Sequence, residues 1–281
     1  METKRCIVTG ATSGIGKEIA RGLLSRGASV AIVGRNPAKL AATSDELGGV
    51  DTYVADLAEL SAVRGLVKEL VDRERRIDVL VNNAGINSGN NERTTDGYDP
   101  MLATNYLAPW LLTTSLLDKL RASAPARVVN VASEAHRLSD RIDTAHLADF
   151  DAHGNELTIN RLYGRTKLEL ILFTQELAGR VKHEGVTINA MCPGLVATNL
   201  AGDRSLVTHL VEALSVTPFV RRPAQGAATA IALALDDKYA NVSGQFFSST
   251  PGAGLMPTDP RRKDIGLQRE LWAATEALLS A

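Results

Sequence analysis

With 281 residues, 44% of them apolar and 22% charged, the chain has the balance of a soluble globular protein able to bury a sizeable core. Its 31 basic and 32 acidic side chains nearly cancel, which excludes the electrostatic footprint of a nucleic-acid or anionic-membrane binder and points to a small-molecule partner. Cys6 and Cys192 offer no spaced framework for zinc or disulfides, and no run approaches the roughly 18 apolar residues of a membrane helix, so neither metal nor membrane anchor is expected and a cytoplasmic location follows by default.

Short β-branched runs alternate with longer helical patterns. Cys6-Ile7-Val8 opens the series as a buried strand, and behind it Ile15, Ile19 and Leu23 recur every four residues, predicting a helix that ends near Gly27. Val30–Val33 reads as the second strand, and Asn36-Pro37 opens the second helix with proline where its missing N–H costs least. A third strand precedes Asp56, and Ser61 is placed to cap a third helix running to about Arg73. Strands at Val79–Val81, Val128–Val131, Thr187–Met191 and Gln245–Phe247 follow, separated by predicted helices over Met101–Leu120, Tyr163–His183 and Gln225–Leu235. Apolar runs without alternation suit a parallel sheet covered on both faces. The expected architecture is α/β, a single Rossmann-like doubly wound parallel sheet with helices on both faces, forming one domain over residues 1–281. The stretches 134–162, 199–222 and 248–266 break the pattern. The first two follow predicted strands five and six, where ligands bind in such sheets, and are the natural substrate-side segments.

After the first strand comes Thr9-Gly10-Ala11-Thr12-Ser13-Gly14-Ile15-Gly16, leading directly into the first amphipathic helix. Glycines let the backbone approach a pyrophosphate, and the helix start favours its charge. A P-loop fails on detail: five residues rather than four separate Gly10 from Gly16, and Glu18 stands where a magnesium-ligating Ser or Thr is needed. The spacing T-G-x-x-x-G-x-G resembles the short-chain dehydrogenase/reductase family. Similar blocks recur in order: Asp56-Leu57, Asn82-Asn83-Ala84-Gly85, Asn105, Ser133, Tyr163-Gly164-Arg165-Thr166-Lys167 and Pro193-Gly194, over about residues 4 to 247.

At the end of the second strand, where a carboxylate would bind the adenosine ribose of NAD, stand Gly34 and Arg35. A guanidinium there pairs with the 2′-phosphate, so NADP(H) is the expected cofactor, although a solvated surface arginine would look the same. The resemblance implies a cofactor site built from Gly10, Ser13, Gly14, Ile15 and Gly16 of the turn, with Asp56 and Leu57 beside the adenine. Asn83, Ala84 and Gly85 line the adenosine side, with Asn83 equally suited to tying strands together. Pro193, Gly194 and Val196 join Tyr163 and Lys167 in the implied set, and Thr198 resembles the position that contacts the carboxamide.

Tyr163 and Lys167, four apart, share one helix face. A nearby ammonium favours a phenolate, so Lys167 is expected to lower the tyrosine pKa from its usual value near 10. Tyr163 then serves as acid/base and Ser133 hydrogen-bonds the substrate oxygen. Asn105 resembles the residue that holds a water linking the lysine to solvent. Taken alone, the tyrosine–lysine spacing also fits a solvated helix face; the glycine turn and Ser133 give it a catalytic reading. The histidines at 136, 146, 153, 183 and 209 lack metal-ligand spacing. His136 reads as structural or exposed, with substrate contact as the other reading, and the carboxylates near 140–151 read as a solvated loop.

Tyr163 comes thirty positions after Ser133, farther than in compact family members. With Val128–His136 and Leu271–Glu276, this resembles the retinol-dehydrogenase-like branch and implies NADP(H)-dependent interconversion of a carbonyl and an alcohol on a bulky apolar compound. Leu200, Leu206, Val207, Leu210, Val211, Leu214, Val216 and Phe219 suit either an apolar lid or a helix packed on the core. The rival functions are a dehydratase or epimerase using bound cofactor transiently, and a silent NADP-binding sensor or scaffold. Family pairing through the fourth and fifth helices implies a homodimer or homotetramer, with Leu107, Leu111, Leu170 and Phe173 in contact; core packing explains those residues equally well.

Overall fold

The computed structural model describes residues 3–89, 92–149, 155–194, 196 and 222–280. Among the described residues, seven strands form one sheet: β1 (Arg5–Thr9), β2 (Ser29–Gly34), β3 (Asp51–Val54), β4 (Val79–Asn82), β5 (Ala126–Val131), β6 (Val186–Cys192) and β7 (Phe246–Ser248). Their order is β3-β2-β1-β4-β5-β6-β7, and every neighbouring pair is parallel. This is the Rossmann-like doubly wound sheet that the apolar runs imply.

Alternate residues of each strand enter opposite layers. Cys6, Val8, Val30, Ile32, Val79, Val81, Val129 and Val131 pack on one face with Ile19 and Leu23 of α1 (Gly14–Ser25). Leu233 of α8 (Pro223–Leu235) joins the same layer. Ile7, Ala31, Val33, Leu80 and Val128 face the other layer, which holds α3 (Leu60–Arg73) and α7 (Glu156–Arg180). Where both faces are buried, as in β1, β2, β4, β5 and β6, both strand periodicities must be apolar, so these strands appear as continuous runs. The other α-helices among the described residues are α2 (Pro37–Glu46), α4 (Pro100–Leu102), α5 (Ala108–Ser115), α6 (Leu117–Ala122) and α9 (Ile265–Ser280).

Several boundaries differ from the sequence expectation. Ser61 does not cap α3: the helix begins at Leu60, whose N–H is taken at 2.9 Å by Asp96 from beyond β4. The continuous helix expected over Met101–Leu120 is broken, with a π turn at Ala103–Leu107 between α4 and α5. Pro109 supplies the reason, because it has no N–H for the carbonyl of Asn105, its partner in an α-helical ladder. α7 starts seven residues before Tyr163, capped by Asn155, whose side chain accepts from Thr158 N at 3.0 Å. The 248–266 stretch leads into α9, a helix that the local pattern did not reveal.

The chain reverses direction across the sheet between β1 and β4, and a crevice beyond the carboxyl ends of those strands is where such a fold takes its ligand. The glycine turn follows β1 and Asn83-Ala84-Gly85 follow β4.

Candidate active site

The glycine turn is locked to the strands beside it. Gly10 N–H donates to Val33 O at 2.9 Å, which sets the turn beside the end of β2. Thr9 Oγ1 accepts from Asn83 N and Ala84 N at 3.0 and 3.1 Å, and Asn83 Nδ2 donates to Thr9 O at 2.9 Å and Gly10 O at 3.2 Å. Asn83 therefore does tie β1 to β4. A β-carbon on Gly16 would lie 2.4 Å from Gly10 O and 2.3 Å from Asn83 Nδ2, so only glycine lets the helix start this close to the turn. Ser13 occupies the N-cap with no side-chain cap bond, leaving the first amides of α1 available to an anion. Arg35 is exposed just past β2. Asp56 turns inward to accept from Ala58 N at 3.0 Å, and Leu57 is buried beside it. Residues of this turn fit a dinucleotide: open helix-start amides, a backbone approach that a side chain would block, and a cation two residues past Val33.

A second group of side chains meets at the same end of the sheet. Tyr163 and Lys167 are 9% and 3% exposed, and Lys167 Nζ lies 5.6 Å from the Tyr163 ring centroid. Lys167 Nζ also donates to Val131 O at 3.0 Å. Ser133, two residues past β5, has its side chain near enough to Tyr163 to act on the tyrosine hydroxyl, and its Oγ accepts from Ala135 N at 3.1 Å. The turn that carries Ser133 reaches α7 closely. A β-carbon on Gly164 would meet Ala135 O at 2.3 Å.

Asn105, fully buried on the π turn, exchanges two bonds with Ile86: its Oδ1 accepts from Ile86 N at 2.8 Å and its Nδ2 donates to Ile86 O at 2.8 Å. Nδ2 also donates to Thr166 Oγ1 at 3.1 Å. A β-carbon on Gly85 would lie 3.2 Å from both Asn105 Oδ1 and Lys167 Nζ, which places all three together. Ser133, Tyr163, Lys167 and Asn105, far apart in sequence, form one cluster.

The electrostatics depart from the sequence expectation. Burial pushes the Tyr163 hydroxyl above its usual value, helped by nearby Cys192 and opposed by the Ser133 side chain. Burial also lowers the Lys167 ammonium to about 8, with Cys192 acting the other way. Desolvation is the largest cause for both groups and favours the neutral form of each. Cys192, expected as packing, is indeed buried, yet its sulfur accepts from Glu134 N at 3.3 Å and Gly194 N at 3.4 Å beside these two groups. Only its place at the end of β6, beside Pro193-Gly194, hinted at this. His136 is fully buried, with Nδ1 2.8 Å from Ser133 O and its ring edge-on to Phe246, so it is structural and not exposed.

Pro193 and Gly194 follow β6, and Val196 packs toward Gly226 of α8. Thr198 and the apolar positions from Leu200 to Phe219 lie outside the described residues. Leu107, Leu111, Leu170 and Phe173 are at most 4% exposed within one chain. α9 covers that side: the Trp272 ring centroid lies 5.3 Å from Trp110 and 6.0 Å from Phe173. No described helix is long and apolar enough to cross a membrane.

Residues 4–141 match the family model described as short chain dehydrogenase. Retinol dehydrogenase 13 of Homo sapiens is 33% identical over an alignment covering 98% of this chain and 84% of its own length. A solved structure of an uncharacterized protein from Mycobacterium paratuberculosis has a TM-score of 0.75 and 29% identity, covering 99% of this chain and 94% of that one. A blue fluorescent protein from a metagenomic library, solved in complex with NADPH, has a TM-score of 0.69 and 27% identity over 89% of this chain and 97% of its own.

Proposed function

This chain belongs to the short-chain dehydrogenase family, and from that premise we propose that it is an NADP(H)-dependent oxidoreductase interconverting a carbonyl and an alcohol on a bulky apolar compound. The observation that carries the reading is that buried Tyr163 and Lys167 stand together, Lys167 Nζ 5.6 Å from the Tyr163 ring centroid, with the Ser133 side chain near enough to act on the tyrosine hydroxyl, at the sheet end that also holds the glycine turn. One catalytic domain over 1–281 is assigned, with 134–162 and 199–222 as its substrate-side segments.

When bound, the nicotinamide supplies or takes up the hydride. Gly10, Ser13, Gly14, Ile15 and Gly16 would hold the pyrophosphate on the start of α1, and Arg35 would pair with the 2′-phosphate. In reduction, Ser133 and Tyr163 both reach the substrate oxygen, and Tyr163 donates the proton that converts it to a hydroxyl. Burial keeps Tyr163 protonated and therefore ready to donate. Lys167, charged below about pH 8, stabilises the tyrosinate left behind. Asn105 holds the Gly85–Ile86 loop against Lys167. NADP(H) is supported by the exposed guanidinium of Arg35 and by a 27%-identical relative solved with NADPH. The long interval from Ser133 to Tyr163 and the retinol dehydrogenase relative support a bulky apolar substrate.

A panel of long-chain and aromatic aldehydes and ketones, assayed with NADPH and with NADH, tests this. Turnover with NADPH that disappears in Tyr163→Phe, while NADPH still binds, is expected. Preference for NADH, activity confined to small sugars, or substantial turnover by Tyr163→Phe would overturn the corresponding assignment.

A further inference from the structure

The C-terminal helix meets the residue next to Asn105 through a buried hydroxyl pair. Tyr106 follows Asn105 on the π turn, and its hydroxyl lies 2.6 Å from Thr275 Oγ1 of α9. Both residues are 0% exposed. Thr275 Oγ1 donates to Leu271 O at 2.8 Å, which uses its only proton, so Tyr106 is the donor in the pair. Inside a core, such a donor has no water to turn to if Thr275 loses its oxygen.

The π turn gives this contact its leverage. The widened turn points two consecutive side chains to different partners: Asn105 to Ile86 and Thr166, Tyr106 to α9. Asn105 in turn lies against the Gly85 backbone that borders Lys167 Nζ. Trp272, three residues before Thr275 and so on the same helix face, anchors α9 between Trp110 and Phe173, with the Arg180 guanidinium 4.1 Å from its ring. α9 is thus held firmly enough for Thr275 to fix a position on the π turn.

We propose that Thr275 is a positioning residue for the candidate catalytic centre, holding Asn105 in register with Lys167 through the buried Tyr106 hydroxyl. The effect on turnover rests on the oxidoreductase reading above; the effect on Asn105 does not.

Hydrogen exchange separates the two. Ile86 N–H donates to Asn105 Oδ1, so its exchange rate reports directly whether Asn105 holds its place. In Thr275→Val, which keeps the side-chain shape, exchange at Ile86 is expected to accelerate about tenfold while the amides of α9 keep their protection. Thr275→Ser, which restores the hydroxyl, should return the wild-type rate. Tyr106→Phe, a second route to removing the pair, should reproduce the acceleration if the valine variant folds poorly. With NADPH and an aldehyde reduced by the wild type, kcat should fall several-fold in Thr275→Val at unchanged KM and recover in Thr275→Ser. Wild-type exchange at Ile86 in both hydroxyl-deleted variants, or acceleration that spreads equally through α9, would overturn the proposal. A wild type without carbonyl turnover would instead defeat the proposed function and leave the exchange result to judge Thr275.

Discussion

The Nζ of Lys167 donates to the main-chain oxygen of Val131 at 3.0 Å, so the ammonium on α7 is held by the last residue of β5. A carbonyl dipole offsets desolvation less than a carboxylate would, and burial brings the group to about 8. Because a lysine with a lowered pKa is charged below that value and neutral above it, carbonyl reduction should lose rate on the alkaline side. With NADPH, kcat/KM is expected to be level near neutrality and to fall about tenfold per pH unit well above pH 8. Lys167→Met should be at least about 100-fold slower and lack that alkaline fall. The same fall persisting in the variant would assign it to another group.

Gly164 controls how closely the Ser133 turn meets α7. A β-carbon there would stand 2.3 Å from Ala135 O, a backbone atom that cannot swing aside. Gly164→Ala should therefore push the turn and Ser133 away from Tyr163. Displacements near 1 Å cost on the order of 100-fold in rate, and overpacking costs about 1–3 kcal/mol in stability. Steady-state kinetics alongside an NADPH titration should show kcat/KM reduced to that degree with cofactor affinity retained, since the glycine turn lies elsewhere. Wild-type kcat/KM in a folded variant would show that the turn yields without disturbing Ser133.

Local signals carried much of this molecule. The inner strands were legible because both of their faces are buried, and the glycine turn because Gly16 has no room for a side chain. Proline at 109, four residues after Asn105, was a legible warning of the broken helix, as was Asn155 three residues before Thr158 for the start of α7. Other features depend on packing between distant segments. Nothing local to Leu271–Glu276 says that Trp272 will lie against Trp110 and Phe173, or that Thr275 will meet Tyr106. The tyrosine–lysine spacing correctly implied proximity but not the burial that raises one pKa and lowers the other.

Arg35 should decide the cofactor by its charge alone. It is exposed beside the glycine turn, so a substitution disturbs little packing. Charge-assisted bonds to a phosphate are worth about 1.5–3 kcal/mol, which predicts a KM for NADPH raised roughly 10- to 100-fold in Arg35→Ser. The KM for NADH should scarcely move. Equal KM values for NADPH before and after the change would remove Arg35 from the site.

Glu169 makes stability depend on pH. It is 0% exposed on α7, paired with Arg165 at 2.8 Å, and burial raises its carboxyl to about 7 despite that cation. A carboxyl is protonated below its pKa. Between the ordinary value near 4.5 and about 7, the folded chain keeps a proton that the unfolded chain has released, so stability falls as pH rises through that window and levels off above it. Urea unfolding at pH 5 and pH 8 should show the decline, on the order of 2–3 kcal/mol from this group. Glu169→Gln cannot titrate and should reduce the difference by that amount. An unchanged difference would mean that the carboxyl titrates near its ordinary value.

Trp272 bears on whether the molecule pairs through α5 and α7. The apolar positions expected at a subunit interface, Leu107, Leu111, Leu170 and Phe173, already have a cover in α9, with Trp272 packed against Trp110 and Phe173. A second copy that packed on Trp110 or Phe173 would have to displace Trp272. Truncating a buried tryptophan costs about 3–5 kcal/mol and here would also uncover apolar surface. Light scattering and thermal unfolding on Trp272→Ala should show a lower Tm and concentration-dependent self-association that the wild type lacks. A wild-type dimer that dissociates in Trp272→Ala would reverse the argument, because it would make α9 the support of an intersubunit contact on that face.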